Sequence, residues 1–318
     1  MIMKISIIGA GRKRNGIGQY IGRYFHENGA EVISVLGTTE KTSLQASTAL
    51  KRYGVKAKPF VEFNEMIRDE KPDGVVIASP SSTHYEYLVK CVDLGLNVFC
   101  EKPFISCEEE GIGKKVEDIF IKAKEKELTI TMNSQWPFSV ESYEKICGKV
   151  EIKKNNQFVI HLSPFSIGKE MIPDSVPHAL SLLYHLLGAG EMEHLDFEPR
   201  GEREMDIQFI YRFGIEKCDV LIKLKFQESQ PRDFSFGFNG KMVVRSIDLE
   251  NYGIYFNDGN KKVKIVDPLE LSVKNFMEAV ERKSEPLIGY SHILSTHSLL
   301  KKIYDGYLEF EKRDSWKN

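Results

Sequence analysis

Short apolar, β-branched runs alternate with helix-length stretches through the first 132 residues, and nothing else in the chain constrains its fold as tightly. The runs are KISII (4–8), EVISVL (31–36), GVVIA (74–78), NVFC (97–100) and LTITM (128–132). Helical spacing fills 18–28, 42–53, 62–69, 83–94 and 108–126, and Gly29, Gly54 and Gly95 stand where three of these stretches stop. Near-continuous strands separated by helices bury both faces, which requires a parallel sheet with helices on either side. The expectation for 1–132 is an α/β domain with a doubly wound parallel sheet.

Beyond residue 132 the pattern changes. Alternating runs such as FIYRF and DVLIKLKF fill 149–163 and 204–266, with one helix between them at 175–187, closed by Gly188. These runs leave no room for crossover helices, so the second domain, 133–318, is expected to be α+β with a mostly antiparallel sheet. Two terminal helices are expected near 269–282 and 291–313, and the boundary falls near 133–136.

The bulk composition narrows the class of partner. With 42% hydrophobic and 28% charged residues the chain has material for a sizeable core, which excludes wholesale disorder. Forty-four basic against 46 acidic residues leave a net charge of −2, so nothing draws the chain globally to nucleic acid or to an anionic membrane. No apolar run reaches the roughly 18 residues of a membrane span, and MIMKISIIGAG runs into glycines rather than a leader cleavage site, so it reads as a buried strand. Five cysteines without a CxxC pair fit reduced, mostly buried thiols in a cytoplasmic protein.

The first strand ends in Gly9-Ala10-Gly11, followed by Arg12-Lys13-Arg14-Asn15-Gly16-Ile17-Gly18 and a helix. Strand, glycine turn and helix together are what a Rossmann dinucleotide site needs: small residues admit a pyrophosphate, and the helix start supplies N–H groups and a positive dipole end. A strict GxGxxG would have glycine where Arg14 stands, so Gly18 reads as a delayed third glycine in a lengthened loop. NAD sites usually carry an acid at the end of the second strand for the ribose 2′-OH. Here Gly37 stands there, followed by Thr38 and Thr39. With Arg12, Lys13, Arg14 and Lys41 near in the chain, and Glu40 as the one opposing charge, the pattern favours NADP over NAD. The turn-borne candidates for cofactor binding are Gly9, Gly11, Arg12, Arg14, Gly16, Ile17, Gly18, Thr38, Thr39 and Lys41. The alternative for the RKR run is a solvated loop.

Residues 73–104, DGVVIASPSSTHYEYLVKCVDLGLNVFCEKPF, resemble the glucose–fructose oxidoreductase/inositol dehydrogenase (Gfo/Idh/MocA) family. The resemblance is carried by Pro80, Thr83-His84 and, about 18 residues beyond, Glu101-Lys102-Pro103. Asp174-Ser175-Val176-Pro177-His178 is similar to the family's Asp-x-x-x-His, and the run from Asn275 to Tyr304 to its closing helices. The resemblance implies an open-faced sheet in the second domain, through which homo-oligomers form. It also implies cofactor contacts from Ser79, Pro80, His84, Glu101 and Lys102, and a catalytic set of Lys102, Asp174 and His178. The segment 133–138 departs from the family, where an arginine and an aromatic residue face the substrate; Trp136 is the candidate there for stacking on a sugar ring or the nicotinamide, or for sealing the domain boundary.

Chemistry gives these residues work. Alcohol oxidation removes a hydride from carbon and a proton from oxygen, so it needs a base within hydrogen-bond reach and a charge or dipole at the developing alkoxide. Histidine, with an ordinary pKa of about 6.5, suits a neutral-pH base, and Asp174 four residues earlier shares its helix face. Lys102, Trp136, Asp174 and His178 are thus the candidate substrate contacts. Taken singly, Lys102 reads as a loop lysine, Asp174 as a helix cap and His178 as a core histidine; their occurrence together in family order favours the site. His185 reads as core, His161, His194, His292 and His297 have no constellation around them, and no metal site is expected. The expected activity is NAD(P)-dependent hydride transfer to or from a sugar, polyol or related small molecule. Imine or enone reduction and a non-catalytic dinucleotide-sensing role are the alternatives.

Overall fold

The computed structural model describes residues 2–11, 16–248 and 253–314; Arg12, Lys13 and Arg14 lie outside them. The chain forms two compact units, Met1–Asn133 with Leu269–Ile293, and Ser134–Pro268 with Leu294–Asn318.

The first unit is built on β1 (Lys4–Ile8), β2 (Glu31–Leu36), β3 (Lys58–Phe60), β4 (Gly74–Ile77), β5 (Asn97–Glu101) and β6 (Ile130–Asn133). They form one sheet in the order β3-β2-β1-β4-β5-β6, and every neighbouring pair is parallel. Helices α1 (Gly18–Glu27), α2 (Glu40–Lys51), α3 (Phe63–Glu70), α4 (His84–Asp93) and α5 (Ile112–Glu125) make the crossovers. This is the expected doubly wound sheet, with its order reversing between β1 and β4, where such folds bind ligands beyond the strands' carboxyl ends. β3 was not expected: its three residues include Pro59, which an edge strand tolerates. α5 starts later than expected because Gly111, in the left-handed region (φ 63°), precedes it.

The second unit carries α6 (Val140–Cys147), β7 (Asn155–Leu162), α7 (Met171–Leu187), β8 (Glu191–Pro199), β9 (Glu204–Phe213), β10 (Glu216–Lys225), β11 (Phe234–Phe238), β12 (Lys241–Ile247), β13 (Ile254–Asn257) and β14 (Lys262–Ile265). The strands form one sheet in the order β14-β13-β12-β11-β7-β10-β9-β8. Only β7 and β10 pair in parallel, so the sheet is mostly antiparallel as expected. The alternation is clearest in β9, where Met205, Ile207, Phe209, Tyr211 and Phe213 are buried and Gln208 and Arg212 face out, with Asp206 the buried exception. α7 begins at Met171 rather than Ser175; Pro173 falls in its first turn, where the missing N–H has no helical acceptor.

Two terminal helices follow, α8 (Pro268–Arg282) and α9 (Tyr290–Asp314). α8 packs in the first unit through Leu269, Val273 and Phe276. Phe276 meets Phe25 of α1 and Phe99 of β5 edge-on, at 6.0 and 5.6 Å between ring centroids. Each such pair contributes about 0.5–1.5 kcal/mol beyond burial. No helix among the described residues is long and apolar enough to cross a membrane.

Candidate active site

The glycine turn closes tightly on its surroundings. Gly9 has φ +87° and donates its N–H to Leu36 O at 3.1 Å. A Cβ on Gly9 would lie 2.6 Å from Ser79 N, one on Gly11 2.7 Å from Thr42 O, and one on Gly18 2.9 Å from Ala10 Cα. Gly18 thus provides the close helix–strand approach that the third glycine of such turns provides. Among the described residues no side chain caps the start of α1, and its first turn carries no acid. Its N–H groups and positive dipole end suit an anion. A backbone cradle that side chains would fill, before such a helix end, fits a dinucleotide pyrophosphate.

Gly37 ends β2 with its N–H on Phe60 O at 3.0 Å. A Cβ there would fall 2.5 Å from Ser43 N and 2.8 Å from Ser43 Cα, so the acid absent from this position has no room. Thr39 caps α2: its Oγ1 accepts from Thr42 N at 3.2 Å, and Thr39 N donates to Thr42 Oγ1 at 3.0 Å. Thr38, Thr39 and Lys41 are exposed at the carboxyl end of β2.

At the end of β4, Ser79 Oγ and Thr83 Oγ1 lie 2.7 Å apart. His84 is buried, with Nδ1 2.8 Å from Pro103 O and Nε2 2.9 Å from Ser79 O. The ring therefore ties the turn after β4, with Pro80, to the Lys102-Pro103 segment after β5. A neutral imidazole has one N–H and serves one carbonyl; the imidazolium serves both. Glu101 is buried and accepts from Asn133 Nδ2 at 2.5 Å, while Ser272 Oγ of α8 donates to Asn133 Oδ1 at 2.9 Å. Lys102 is half-buried just past the end of β5.

In the second unit Asp174 and His178 sit one turn apart on α7, both half-buried. Asp174 Oδ2 accepts from Phe165 N at 3.0 Å and Ser166 N at 3.2 Å, which fixes the carboxylate against the segment after β7. His178 Nδ1 lies 3.2 Å from Ser134 Oγ. Trp136 is buried and stacks on Phe234 at 3.5 Å between centroids, 10° from parallel. Arg245 lies 5.3 Å from the Trp136 ring centre, and Arg232 lies 5.6 Å from that of Phe165. His185, expected in the core, is instead exposed near the end of the same helix, where desolvation by its neighbours pushes its pKa down.

Sequence reasoning missed Asn133, Ser134, Arg232 and Arg245. The first two lie in the segment already noted as unusual, and that departure was their signal. The arginines lie far along the chain, Arg232 in a loop and Arg245 within β12, with no motif.

Residues 3–133 match the family described as Oxidoreductase family, NAD-binding Rossmann fold (GFO_IDH_MocA). A D-glucoside 3-dehydrogenase of Escherichia coli is 30% identical over 101 residues, 32% of this chain and 27% of that protein. An inositol 2-dehydrogenase of Ralstonia nicotianae is 32% identical over 105 residues, 32% of this chain and 29% of that protein. The matches thus span under a third of the length of these relatives. The 3-ketoreductase KijD10 of Actinomadura kijaniata, solved with NADP, has the same fold at a TM-score of 0.69 and 16% identity, over 96% of this chain and 98% of that one. Residues 3–133, which carry the doubly wound sheet, the glycine turn and the Glu101-Lys102-Pro103 segment, thus match the NAD-binding Rossmann domain of the Gfo/Idh/MocA oxidoreductase family.

Proposed function

We propose that the protein is an NADP-preferring dehydrogenase or reductase that moves a hydride between the nicotinamide and a hydroxyl or carbonyl carbon of a sugar or polyol. The observation that carries the reading is the glycine cradle ahead of the uncapped α1 helix, in a chain that also holds Lys102, Asp174 and His178. When bound, the nicotinamide supplies the hydride acceptor or donor. Gly9, Gly11, Gly16, Ile17 and Gly18 hold the pyrophosphate, joined by Arg12 and Arg14. Thr38, Thr39 and Lys41 take the ribose 2′ side, where an acid at Gly37 would have repelled a phosphate. Ser79, Pro80, His84 and Glu101 support the nicotinamide end.

His178 Nε2 takes the proton of the substrate hydroxyl in oxidation and returns it in reduction, with Nδ1 steadied by Ser134. Lys102 polarises the reacting oxygen. Asp174, fixed by two backbone amides, orients a second substrate hydroxyl. Trp136, already stacked on Phe234, forms the wall behind the substrate rather than a stacking face. The sugar and inositol dehydrogenases among the relatives support the substrate class. The outward row Leu221, Val159 and Met242 suits pairing with a second copy through the sheet's outer face.

Titration with NADPH and NADH, followed by nicotinamide fluorescence, tests the cofactor reading; clearly tighter NADH binding refutes the NADP preference, and binding of neither refutes the oxidoreductase reading. On a turned-over alcohol, His178→Ala lowers kcat/KM by about 10²–10⁴. An undiminished rate removes His178 as the base.

A further inference from the structure

The second unit holds two arginines that hydride transfer to a neutral polyol does not use. Arg245 occupies an inner-face position of β12, in register with Phe256 of β13, and its guanidinium lies 5.3 Å from the ring centre of Trp136 and 5.7 Å from that of Phe234. A charged side chain among aromatic rings loses hydration that packing does not return, and burial pushes the Arg245 pKa down to about 10. Its Nη2 donates to the backbone carbonyl of Arg232, which sets the two arginines side by side.

Arg232 is presented by a built loop. Gln227 N donates to Pro164 O at 3.0 Å, Asp233 N to Gln227 Oε1 at 2.8 Å, and Arg232 N to Gln230 Oε1 at 3.2 Å. The loop thereby lies against the segment after β7, and the Arg232 guanidinium lies 5.6 Å from the centre of the Phe165 ring. Phe165 is also the residue whose amide holds Asp174. Arg232, Arg245, Asp174 and His178 are all half-buried, so none is sealed from solvent.

We propose that Arg232, backed by Arg245, is an anion-recognition subsite beside Asp174 and His178, and that the substrate is a sugar derivative carrying a carboxylate or phosphate. The proposal rests on the dehydrogenase reading above and deepens its substrate class. The surrounding charges are compatible with it. Asp267 and the exposed Asp233 favour the charged form of Arg245, and Asp174 that of Arg232. Asp174 Oδ2 already accepts two amides. A guanidinium carries five N–H donors in a planar fork, so meeting Asp174 on one edge is compatible with taking a ligand oxygen on another. The ligand's charge then offsets the repulsion between the two arginines, which pushes the Arg245 pKa down further.

The test is calorimetry on the full-length protein, with and without saturating NADP, using matched sugars: glucose, glucuronate, glucose 1-phosphate and UDP-glucose, then galactose and galacturonate. At least one charged member binds about tenfold or more tighter than its neutral counterpart. Arg232→Gln reduces that ratio to near one, and Arg232→Lys, keeping the charge without the fork, restores part of it. Preference for uronates over phosphates identifies a carboxylate subsite, and the reverse a phosphate subsite. Equal affinity within every pair overturns the proposal, as does a charge preference that survives in a folded Arg232→Gln variant. If Arg232→Gln does not fold, Arg232→Lys decides: a ratio clearly below the parent's supports the subsite, and an unchanged ratio overturns it. A charge preference without NADP binding keeps the anion subsite and refutes the dehydrogenase reading; NADP binding without charge preference does the opposite.

Discussion

Replacing Gly37 with aspartate, the substitution that would appear to install an NAD-type acid, is expected to damage the first unit rather than switch the cofactor. The perturbation reduces to its first atom. A Cβ on Gly37 would sit 2.5 Å from Ser43 N and 2.8 Å from both Ser43 Cα and Thr42 Oγ1. Two of those atoms are α2 backbone, in the helix turn whose cap is Thr39, so no side-chain rotation relieves the contact. Gly37 is itself anchored through its N–H to Phe60 O, which ties the strand end to β3. Either α2 shifts outward or β2 loses its link to the edge strand. Overpacking of this kind costs about 1–3 kcal/mol. In a unit of this size each kcal/mol lowers Tm by about 2–4 °C, so Gly37→Ala alone lowers it by about 2–12 °C. Differential scanning calorimetry measures this directly, and a Gly37→Ala variant with Tm within 1 °C of the parent refutes the steric argument. In Gly37→Asp the same loss accompanies weaker binding of NADPH without a matching gain for NADH. A stable variant that prefers NADH would show that α2 yields and that the missing acid is a matter of selection rather than space.

Ser134→Ala removes the partner of His178 Nδ1, and is expected to lower kcat roughly tenfold with KM nearly unchanged and to move the pH profile of kcat. A changed KM with an unmoved profile would make Ser134 a packing residue only. Thr39→Ala deletes the acceptor of Thr42 N and should cost about 0.5–2 kcal/mol in urea unfolding, with Thr39→Ser recovering most of it. Desolvation by its neighbours lowers the pKa of the exposed His185 below its ordinary value of 6.5, so the unfolded chain binds the proton more readily. The resulting stability is complete above about pH 6.5 and is lost as pH falls through the folded pKa. His185→Phe should flatten this part of the pH–stability curve; an unchanged slope assigns it elsewhere.

The first unit was legible because its information is local. Strands in the doubly wound sheet are buried on both faces and read as continuous apolar runs, while Gly29, Gly54 and Gly95, with φ of 91°, 81° and 75°, mark helix ends. Missed elements had weak local signals for physical reasons. β3 is three residues long with a proline, and β8 is an edge strand whose EMEHLDFEP carries charges that discourage edge-to-edge pairing. The return of α8 to the first unit depends on Phe276 meeting Phe25 and Phe99, a contact between residues far apart in sequence. Lys102, Asp174 and His178 are candidates on motif order alone, and the bonds of Asp174 to the Phe165 and Ser166 amides follow from α7 starting at Met171 and the preceding segment folding back on it.

The segment 133–136, which departs from the family pattern, is where the chain passes from one compact unit to the next, and its residues divide their bonds accordingly. Asn133 holds Glu101 and is held by Ser272, all within the first unit. Ser134, the next residue, holds His178 within the second. Trp136 lies against Phe234 and near Arg245, giving the half-buried guanidinium an aromatic neighbour that an arginine at this segment would not provide. A substitution that restores arginine at position 136 would set a third guanidinium beside Arg245 without a new carboxylate, and the repulsion, unscreened in a buried position, would lower stability even though the family pattern is regained. Loss of the indole stack adds the cost of vacating a buried aromatic site. The departure and the arginines are therefore coupled: Trp136 and Arg245 are compatible as a pair, and double-mutant analysis of Trp136→Arg with Arg245→Leu should show the second change recovering part of the stability lost to the first.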